Sequence, residues 1–457
     1  MRKATLLFSL TLSGAGAMAG AAIADSFFTR DRNISVLERP RPDYEAPGVR
    51  AGQFIVRPRL DLGVGATSNA FAVSNLPASE GLDAFEEEGD IYIVARPSVG
   101  VESTWSRHAL AAGTYIEAFQ NDRFDNEAVT NGGVFLNGQL DATRTSAIFG
   151  GLSYDVLHES RRVNNGAVLP ETPIQYNLGQ AHLGYRHELG RLRYTARLDA
   201  DLFDYDDVDI ILLDPQGTGD LDGELDQDFR DRTAYSVLGE VGFAVTRDAS
   251  IFIQGIHNTQ NYDEPGIAAL GIPERDSEGW TIAMGTEFDL SRLSRGRVAV
   301  GYFEQDYKDP LFATASGVSV DAQVEWFPTE LTTLTLTGSR GADESAIFDT
   351  GGFVSTRLQA RVDHELRRNV ILSAYGEVGT EEYPEALQII NPEGGATDQD
   401  VDRYGFGAGG TYYLNRYVST NLSYAYFNQD IQLDRFNGGF GVDYDVHELL
   451  LTLSLER

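Results

Sequence analysis

The chain has 457 residues, a formal net charge of −33, 48 glycines and no cysteine. This excess of carboxylates excludes nucleic acid as a partner, because phosphates require Lys and Arg. The lack of cysteine excludes disulfides, thiolate metal sites and a cysteine nucleophile. The length allows two or three ordinary domains or one large all-β unit, and the acidity alone also suits a highly charged soluble surface.

The N-terminus has the three parts of a secretory signal peptide. Arg2 and Lys3 precede an apolar stretch over residues 4–19, and the small-residue site Ala22-Ile23-Ala24 follows. We therefore expect residues 1–24 to be a cleaved signal peptide of bacterial style and the mature chain to be exported. After this stretch the sequence has no run of eighteen apolar residues, so it predicts no membrane-spanning helix.

Residues 25–50 lack any periodic pattern and contain Pro40, Pro42 and Pro47 among mixed charges. They predict an irregular periplasmic arm rather than a folded plug domain. From residue 51 to residue 457 one pattern repeats, in which runs of about ten to fifteen residues alternate apolar and polar side chains, as half-buried strands do.

The segment 319–339 shows the pattern most clearly. Val320, Val324 and Trp326 alternate with Asp321 and Glu325. An interruption at Pro328-Thr329 precedes a second alternating run, so the segment predicts a β-hairpin. Similar pairs along residues 51–457 predict about eighteen strands, an even number that suits a single-chain outer-membrane barrel.

The connections between these runs alternate between very short and long. Most of the short turns carry an arginine, at Arg107, Arg144, Arg191, Arg247, Arg292, Arg367 and Arg416. The long connections are rich in Asp and Gly. Short periplasmic turns and long extracellular loops are typical of an all-β, antiparallel, up-and-down transmembrane barrel. A soluble sandwich or a propeller remains an alternative, although no blade motif repeats.

The barrel predicts two kinds of surface residue. The apolar face should meet lipid, with an interfacial aromatic belt at Trp105, Trp326 and Phe327 beside short turns. The polar face should line an aqueous lumen, where both signs of charge occur: Arg57, Arg59, Asp61, Arg96, Glu102, Arg193, Arg197, Asp199, Asp201, Asp321, Glu325, Arg357, Arg361 and Asp363. Cross-strand ion pairs are one interpretation of these charges. The other is a field that passes a hydrated solute without trapping it, helped by sugar stacking on Tyr115, Phe203 and Tyr375.

One acidic loop has oxygen ligands at alternate positions, as calcium sites do. Asp220, Asp222, Glu224 and Asp226 are the candidate ligands. Their spacing departs from that of the twelve-residue calcium loop, so we predict a solvated acidic loop, no metal and no cofactor. The scattered histidines and the lack of a nucleophile motif predict that the chain is not an enzyme.

Several unlike motifs also occur in one order: GVRAGQFIVRPRLDLGVGATSNAF, WSRHAL, LSYDVLHESR, YFEQDYKDP, WFPTELTTLTLTGSR and VDHELRRNVILSA. From about Gly48 to the C-terminus the sequence resembles the putative β-barrel porin 2 family. The resemblance implies an outer-membrane barrel of a kind often encoded with exopolysaccharide, capsule or holdfast genes. It also implies passage of secreted polysaccharide together with a periplasmic polysaccharide-export protein, and it supplies no catalytic site.

We therefore expect an outer-membrane pore that passes exopolysaccharide or other polar solutes. A general diffusion porin for small solutes is one alternative, and an inward-folded constriction loop would favour it. A structural or adhesive surface barrel with acidic binding loops is another, and it predicts a blocked lumen. Expected partners are outer-membrane lipid and lipopolysaccharide, with no nucleic acid, and the oligomeric state stays open.

Overall fold

The computed structural model describes residues 33–73, 87–163, 170–212, 221–263, 274–290, 293–345, 351–383, 399–432 and 443–457. The predicted signal peptide, residues 1–24, lies outside the described residues. Three single-turn 3-10 helices cover Asp125–Glu127, Arg161–Val163 and Asp228–Arg230. Among the described residues, no helix has the length and apolar character needed to cross a membrane.

Strands make up almost all of the regular structure, because alternating runs rich in aromatic and β-branched residues fit a pleated, half-buried surface. In chain order they are β1 (Val49–Ala51), β2 (Phe54–Thr67), β3 (Asp90–Ser103), β4 (Ala109–Asn121), β5 (Val129–Asp141), β6 (Ser146–His158), β7 (Gln175–Leu189), β8 (Leu192–Tyr205), β9 (Val208–Leu212), β10 (Leu221–Leu225), β11 (Arg232–Ala244), β12 (Ala249–Tyr262), β13 (Ser277–Leu290), β14 (Ser294–Tyr307), β15 (Ala315–Thr329), β16 (Thr332–Glu344), β17 (Gly352–Arg367), β18 (Val370–Tyr383), β19 (Gln399–Asn415), β20 (Val418–Gln432) and β21 (Tyr444–Glu456).

The strands close into a barrel. Each long strand pairs antiparallel with its neighbours in sequence, β8 pairs with β11, and β21 returns to β2 with Leu455 opposite Leu60. The closed wall has 18 strands, which confirms the predicted all-β barrel. The short β1 pairs with Phe54–Val56 on the same edge of β2 that β21 covers from Arg59 onward. Eighteen strands about 4.8 Å apart and tilted by about 40° enclose a wall about 36 Å across between backbone atoms.

The two ends of the barrel differ in their connections. Eight connections of two to five residues lie at one end, called here the short-turn end, and nine longer ones lie at the other, called the long-loop end. The predicted turn residue Arg292 lies outside the described residues. The connection between β8 and β11, which the sequence predicted as a loop, contains a separate hairpin of β9 and β10.

The hairpin predicted over residues 319–339 is present as β15 and β16, but its turn lies later than expected. The turn occupies residues 330–331, and Pro328 stays within β15. The register of the pair shifts between Trp326 and Thr329. Proline has no backbone N–H for the ladder, so the strand tolerates it at an irregularity near its end.

The apolar face of the wall points outward. Along β2, β3 and β21, side chains such as Leu62, Ile93 and Leu451 are exposed, although they belong to regular strands. In a sandwich these side chains would pack against a second layer, and no second layer covers them in the described part of the chain. Closure satisfies the backbone hydrogen bonds internally, which a hydrocarbon environment requires.

The segment before β1 lies inside the barrel. Residues 33–48, called here the strap, form turns rather than helix or strand. The Val36 amide donates to Thr333 Oγ1 at 2.9 Å, and Arg41 Nη2 lies 3.3 Å from Glu365 Oε2. Thr333 and Glu365 are buried, whereas Leu336 and Leu366 on the same strands are exposed on the outer face. The strap therefore runs along the inner wall at the short-turn end.

Candidate functional site

The inner wall carries a continuous set of charged side chains. Arg193 Nη2 on β8 lies 3.0 Å from Glu287 Oε2 on β13, although β11 and β12 run between these strands. The backbones of β8 and β13 are about 14 Å apart along the wall. Side chains close such a gap only where the wall is concave, because on the convex side they diverge. Arg193 and Glu287 therefore face the lumen.

The predicted lumen residues share this inward orientation, since their neighbours in sequence are the exposed apolar side chains of the outer face. The structure joins most of them in ion pairs: Arg57 with Glu102 at 2.6 Å, Arg59 with Asp61 at 2.8 Å, Arg96 with Glu117, Arg193 with Glu287 at 3.0 Å, Arg197 with Asp199 at 2.5 Å, Arg295 with Glu325, Arg357 with Asp343 at 3.6 Å, and Arg361 with Asp363 at 3.0 Å. Asp201 accepts from Gln180 at 3.0 Å, and Asp321 is exposed on the same face.

The sequence interpretation omitted several inward charges. Glu240 is buried between Arg193, at 3.5 Å, and Arg297, at 2.5 Å. Glu381 pairs with Arg403 at 2.5 Å on β18 and β19. The same alternation that located the predicted residues also places the charges of these four strands, β11, β14, β18 and β19, inward. The alternation does not predict which inward charges form ion pairs, because contacts between strands two or three apart depend on the curvature of the wall.

The loop between β6 and β7 enters the long-loop mouth. Arg162 Nη2 lies 2.5 Å from Glu448 Oε2 on β21, and its guanidinium lies 4.5 Å from the centre of the Phe427 ring on β20. The Tyr444 hydroxyl donates to the Arg162 carbonyl at 2.6 Å. Because β2, β3, β4 and β5 separate β6 from β21 around the wall, this loop crosses inside the barrel and narrows its mouth.

Arg161 fixes the same loop from its other side. Its guanidinium forms a buried bidentate pair with Glu127, at 2.5 Å for the shorter contact, and donates to the Pro170 carbonyl at 2.7 Å. A bidentate arginine–carboxylate pair has defined geometry and is stronger than a neutral hydrogen bond. The inward position of the loop is therefore held by charge rather than by apolar packing.

Two inward tyrosines lie flat on the wall over glycines of the next strand. Tyr115 is opposite Gly133, where a Cβ would collide with the Asp155 carboxylate and stand 2.8 Å from the tyrosine ring. Tyr375 is opposite Gly407 in the same manner, and a Cβ there would collide with its ring. A side chain at Gly407 would push the Tyr375 ring into the lumen. The third predicted aromatic, Phe203, is covered by the Arg232 guanidinium at 4.0 Å.

The outer face carries exposed aromatic side chains near both ends of the strands. Trp105, Tyr185, Tyr194, Phe243, Trp326 and Tyr412 lie near the short turns, and Tyr154, Tyr235, Trp280, Tyr302 and Tyr404 lie toward the long loops. On β15, Trp326 is eight residues from Val318, which is opposite Tyr302. Eight tilted residues span about 21 Å, close to the apolar band of about 25 Å in outer-membrane barrels.

Phe327 does not belong to this outer face, contrary to the sequence prediction. It is 9% exposed, against 49% for Trp326, and the Arg295 guanidinium lies 5.9 Å from its ring centre. Adjacent strand residues point to opposite sides, so Trp326 and Phe327 cannot both face lipid.

The four candidate calcium ligands, for which the sequence predicted no bound metal, are only partly described. Asp220 lies outside the described residues, and Asp222 and Glu224 belong to β10, whose side chains are not described. Asp226 is exposed and lies near Asp207 and Asp228, with carboxylate oxygens within 4.8 Å of one another. Exposed acidic groups are common in loops, and we assign no metal to this cluster.

Asp231, in the same connection, has an altered acidity. Partial burial raises the pKa of its carboxyl to about 6, and the nearby carboxylates Asp204, Asp228 and Asp263 act in the same direction. The Tyr205 amide donates to Asp231 Oδ1 at 2.6 Å and opposes the shift. This loop therefore carries a carboxyl whose pKa is about 6.

A closed wall with a charged interior, an apolar exterior and aromatic side chains near both ends is typical of outer-membrane β-barrels. The chain belongs to the family described as putative beta-barrel porin 2, whose model matches residues 41–457. The family description is that of a porin-like β-barrel.

Comparison with curated proteins gives no match. Among solved structures, the barrel is similar to a ferric enterobactin receptor of Pseudomonas aeruginosa in complex with enterobactin, with 9% identity, 88% of this chain and 81% of that chain covered, and a TM-score of 0.44. It is also similar to the siderophore receptor PirA of Acinetobacter baumannii, with 7% identity, coverage of 88% and 80%, and a TM-score of 0.44. Likenesses this distant carry no argument about what this chain transports.

Proposed function

We propose that this barrel is an aqueous pore that passes small polar solutes across the outer membrane. The charge-paired inner wall carries the proposal, because both signs of charge lie side by side along the lumen and neither cations nor anions are strongly held there. The inward loop at Arg162 and the strap at the opposite end narrow the two mouths. These constrictions favour small solutes over a permanently open conduit for polymers.

Single-channel recording in planar bilayers tests this proposal. Purified wild-type protein should give a steady ion current with weak selectivity between cations and anions. Replacing Arg162 with Gln should free the loop from Glu448 and raise the current, whereas Arg340→Gln, whose pair with Glu382 at 3.0 Å lies on the outer face, should not. A wild-type barrel that passes no current would refute the pore and favour the adhesive alternative.

Export of polysaccharide, with a periplasmic export protein as partner, is the second candidate. It rests on the family resemblance and is favoured by Tyr115 and Tyr375, because rings held flat on the wall present a face on which sugars stack. Added oligosaccharides should then interrupt the current for resolvable times. Tyr375→Ala should shorten these interruptions, and equal block times in both proteins would remove this candidate.

A further inference from the structure

Successive residues of the strap contact successive strands of the wall around the short-turn mouth. Asn33 Nδ2 lies 2.5 Å from Asp289 on β13, the Val36 amide binds Thr333 on β16, Arg41 binds Glu365 on β17, and Tyr44 lies 6.3 Å from the Tyr413 ring on β19. The chain then enters β1 at the seam between β21 and β2. From β13 to β2 is half of the circumference, so the strap is a half-ring inside the short-turn mouth.

Polar contacts hold this half-ring in place. Glu365 is 3% exposed and accepts two arginines of the strap, Arg39 at 3.5 Å and Arg41 at 3.3 Å, while Glu38 of the strap pairs with Arg295 at 2.6 Å. Val36 is fully buried, but Ile34 and Leu37 are each 39% exposed. The strap therefore has little of the apolar packing that fixes a permanent structural element.

Two of the wall charges that bind the strap, Glu365 and Arg295, also have partners on the wall. Arg368 lies 3.9 Å from Glu365, and Arg295 contacts Glu325 as well as Glu38. A buried charge stripped of its only partner costs several kcal/mol, and that cost is avoided where a second partner is in place. The wall can therefore release the strap without leaving Glu365 or Arg295 unpaired, as an element with two stable positions requires.

We propose that the strap is a removable constriction that sets the flow through the short-turn mouth. This inference rests on the proposed pore function and adds a means of regulation to it. An extended chain with its side chains is about 10 Å thick, so a half-ring blocks roughly half of the mouth that the side chains of an 18-strand wall leave open. Release of the strap opens the mouth on the side of β13 to β21.

The chain has no native cysteine, so two introduced cysteines can form a disulfide only with each other or between molecules. The Val36 amide lies 2.9 Å from Thr333 Oγ1, which occupies the position of a cysteine sulfur, so a Val36→Cys, Thr333→Cys variant should cross-link on oxidation. Mass spectrometry of the linked peptides measures the yield in outer membranes. Single-channel conductance is then compared for the oxidised variant, the reduced variant and a chain lacking residues 33–47.

Deletion of the strap should raise conductance over the oxidised form by at most about twofold, since roughly half of the short-turn mouth is blocked and the loop at Arg162 still narrows the other mouth. The reduced form should switch between the two levels. Glu365→Gln should favour the high level, because it weakens both arginine contacts of the strap. Glu240→Gln is the matched control: Glu240 is equally buried at 3% and accepts two arginines, but both belong to the wall.

Three results would overturn the inference. Thiols that react with reagent but never cross-link would show that the strap lies elsewhere. Equal currents in the oxidised, reduced and deleted forms would show that the strap does not limit flow, and the pore function would stand. If no form conducts ions, including the wild type and the deletion variant, both the constriction and the pore function are refuted, even if the cross-link forms.

Discussion

Replacing Arg193 with Met tests the charged inner wall directly. The Arg193 side chain is 2% exposed and lies 3.0 Å from Glu287 and 3.5 Å from Glu240, which are also buried. Methionine retains much of the length of the side chain but removes the charge. The substitution leaves two carboxylates facing each other on the wall, although Glu240 keeps Arg297 at 2.5 Å.

The structure allows the size of the effect to be worked out. Removing one partner of a buried ion pair costs about 3–5 kcal/mol, because the remaining buried charge loses much of its compensation. Glu240 retains one arginine, so we expect the lower end of that range, about 3 kcal/mol. The control is Arg57→Met, whose ion pair with Glu102 is 40% and 33% exposed. An exposed pair contributes about 1 kcal/mol or less.

Equilibrium unfolding in urea, with the barrel reconstituted in lipid vesicles, measures both variants. The folded fraction follows from the faster gel migration of folded barrels in samples that are not heated. We expect Arg193→Met to lose about 2 kcal/mol more stability than Arg57→Met. Equal losses would refute the reasoning, since they would mean that water solvates Glu287 and Glu240 as freely as it solvates Glu102.

Three further predictions concern a glycine, the two faces of β15 and an acidic loop. Gly407→Leu should destabilise the barrel by about 1–3 kcal/mol in the same urea assay, because the Tyr375 ring occupies the space of the new side chain. Brominated lipids should quench a tryptophan emission that Trp326→Phe removes, and they should leave the added emission of Phe327→Trp unquenched, since these positions face lipid and lumen. The raised pKa of Asp231 means that the closed loop binds its proton more tightly than an opened loop, so closure weakens as pH rises toward about 6. Amide exchange in residues 226–231, corrected for intrinsic rates, should therefore speed up over that range, and Asp231→Asn should remove the dependence.

Each of these three predictions has a control variant or a result that would contradict it. Gly255→Leu adds the same side chain where no atom lies within 4 Å of the new Cβ, and it should leave stability nearly unchanged. Quenching of Phe327→Trp by brominated lipid would mean that the residue faces outward after all. Exchange that is independent of pH in the wild type would show that closure of the loop does not raise the pKa of Asp231.

Much of the fold can be predicted from the local alternation of apolar and polar residues. Alternation with a period of two assigns each side chain to one face of a strand, and that assignment does not depend on which strand lies next to it. This is why about eighteen strands and the inward charges, such as Arg193 and Arg361, were predicted without any knowledge of their partners. The same rule, applied strictly to Trp326 and Phe327, would have separated them.

The position of the strap could not be predicted from such a local pattern. Its prolines and mixed charges predicted an irregular arm, but Arg41 and Glu365 are 324 residues apart in sequence and meet through the closure of the barrel. The loop at Arg162 is similar, since its contact with Glu448 spans 286 residues. Neither segment has a periodic pattern that reports its direction.

The sequence by itself determined the period of the strands, the sign of charge on each face and the alternation of short and long connections, because these depend on neighbours along the chain. Tertiary structure alone decided which charges meet across the wall and which segments fold into the two mouths. The physical reason is curvature: a closed wall brings inward side chains from distant strands together, and a linear pattern contains no information about that distance.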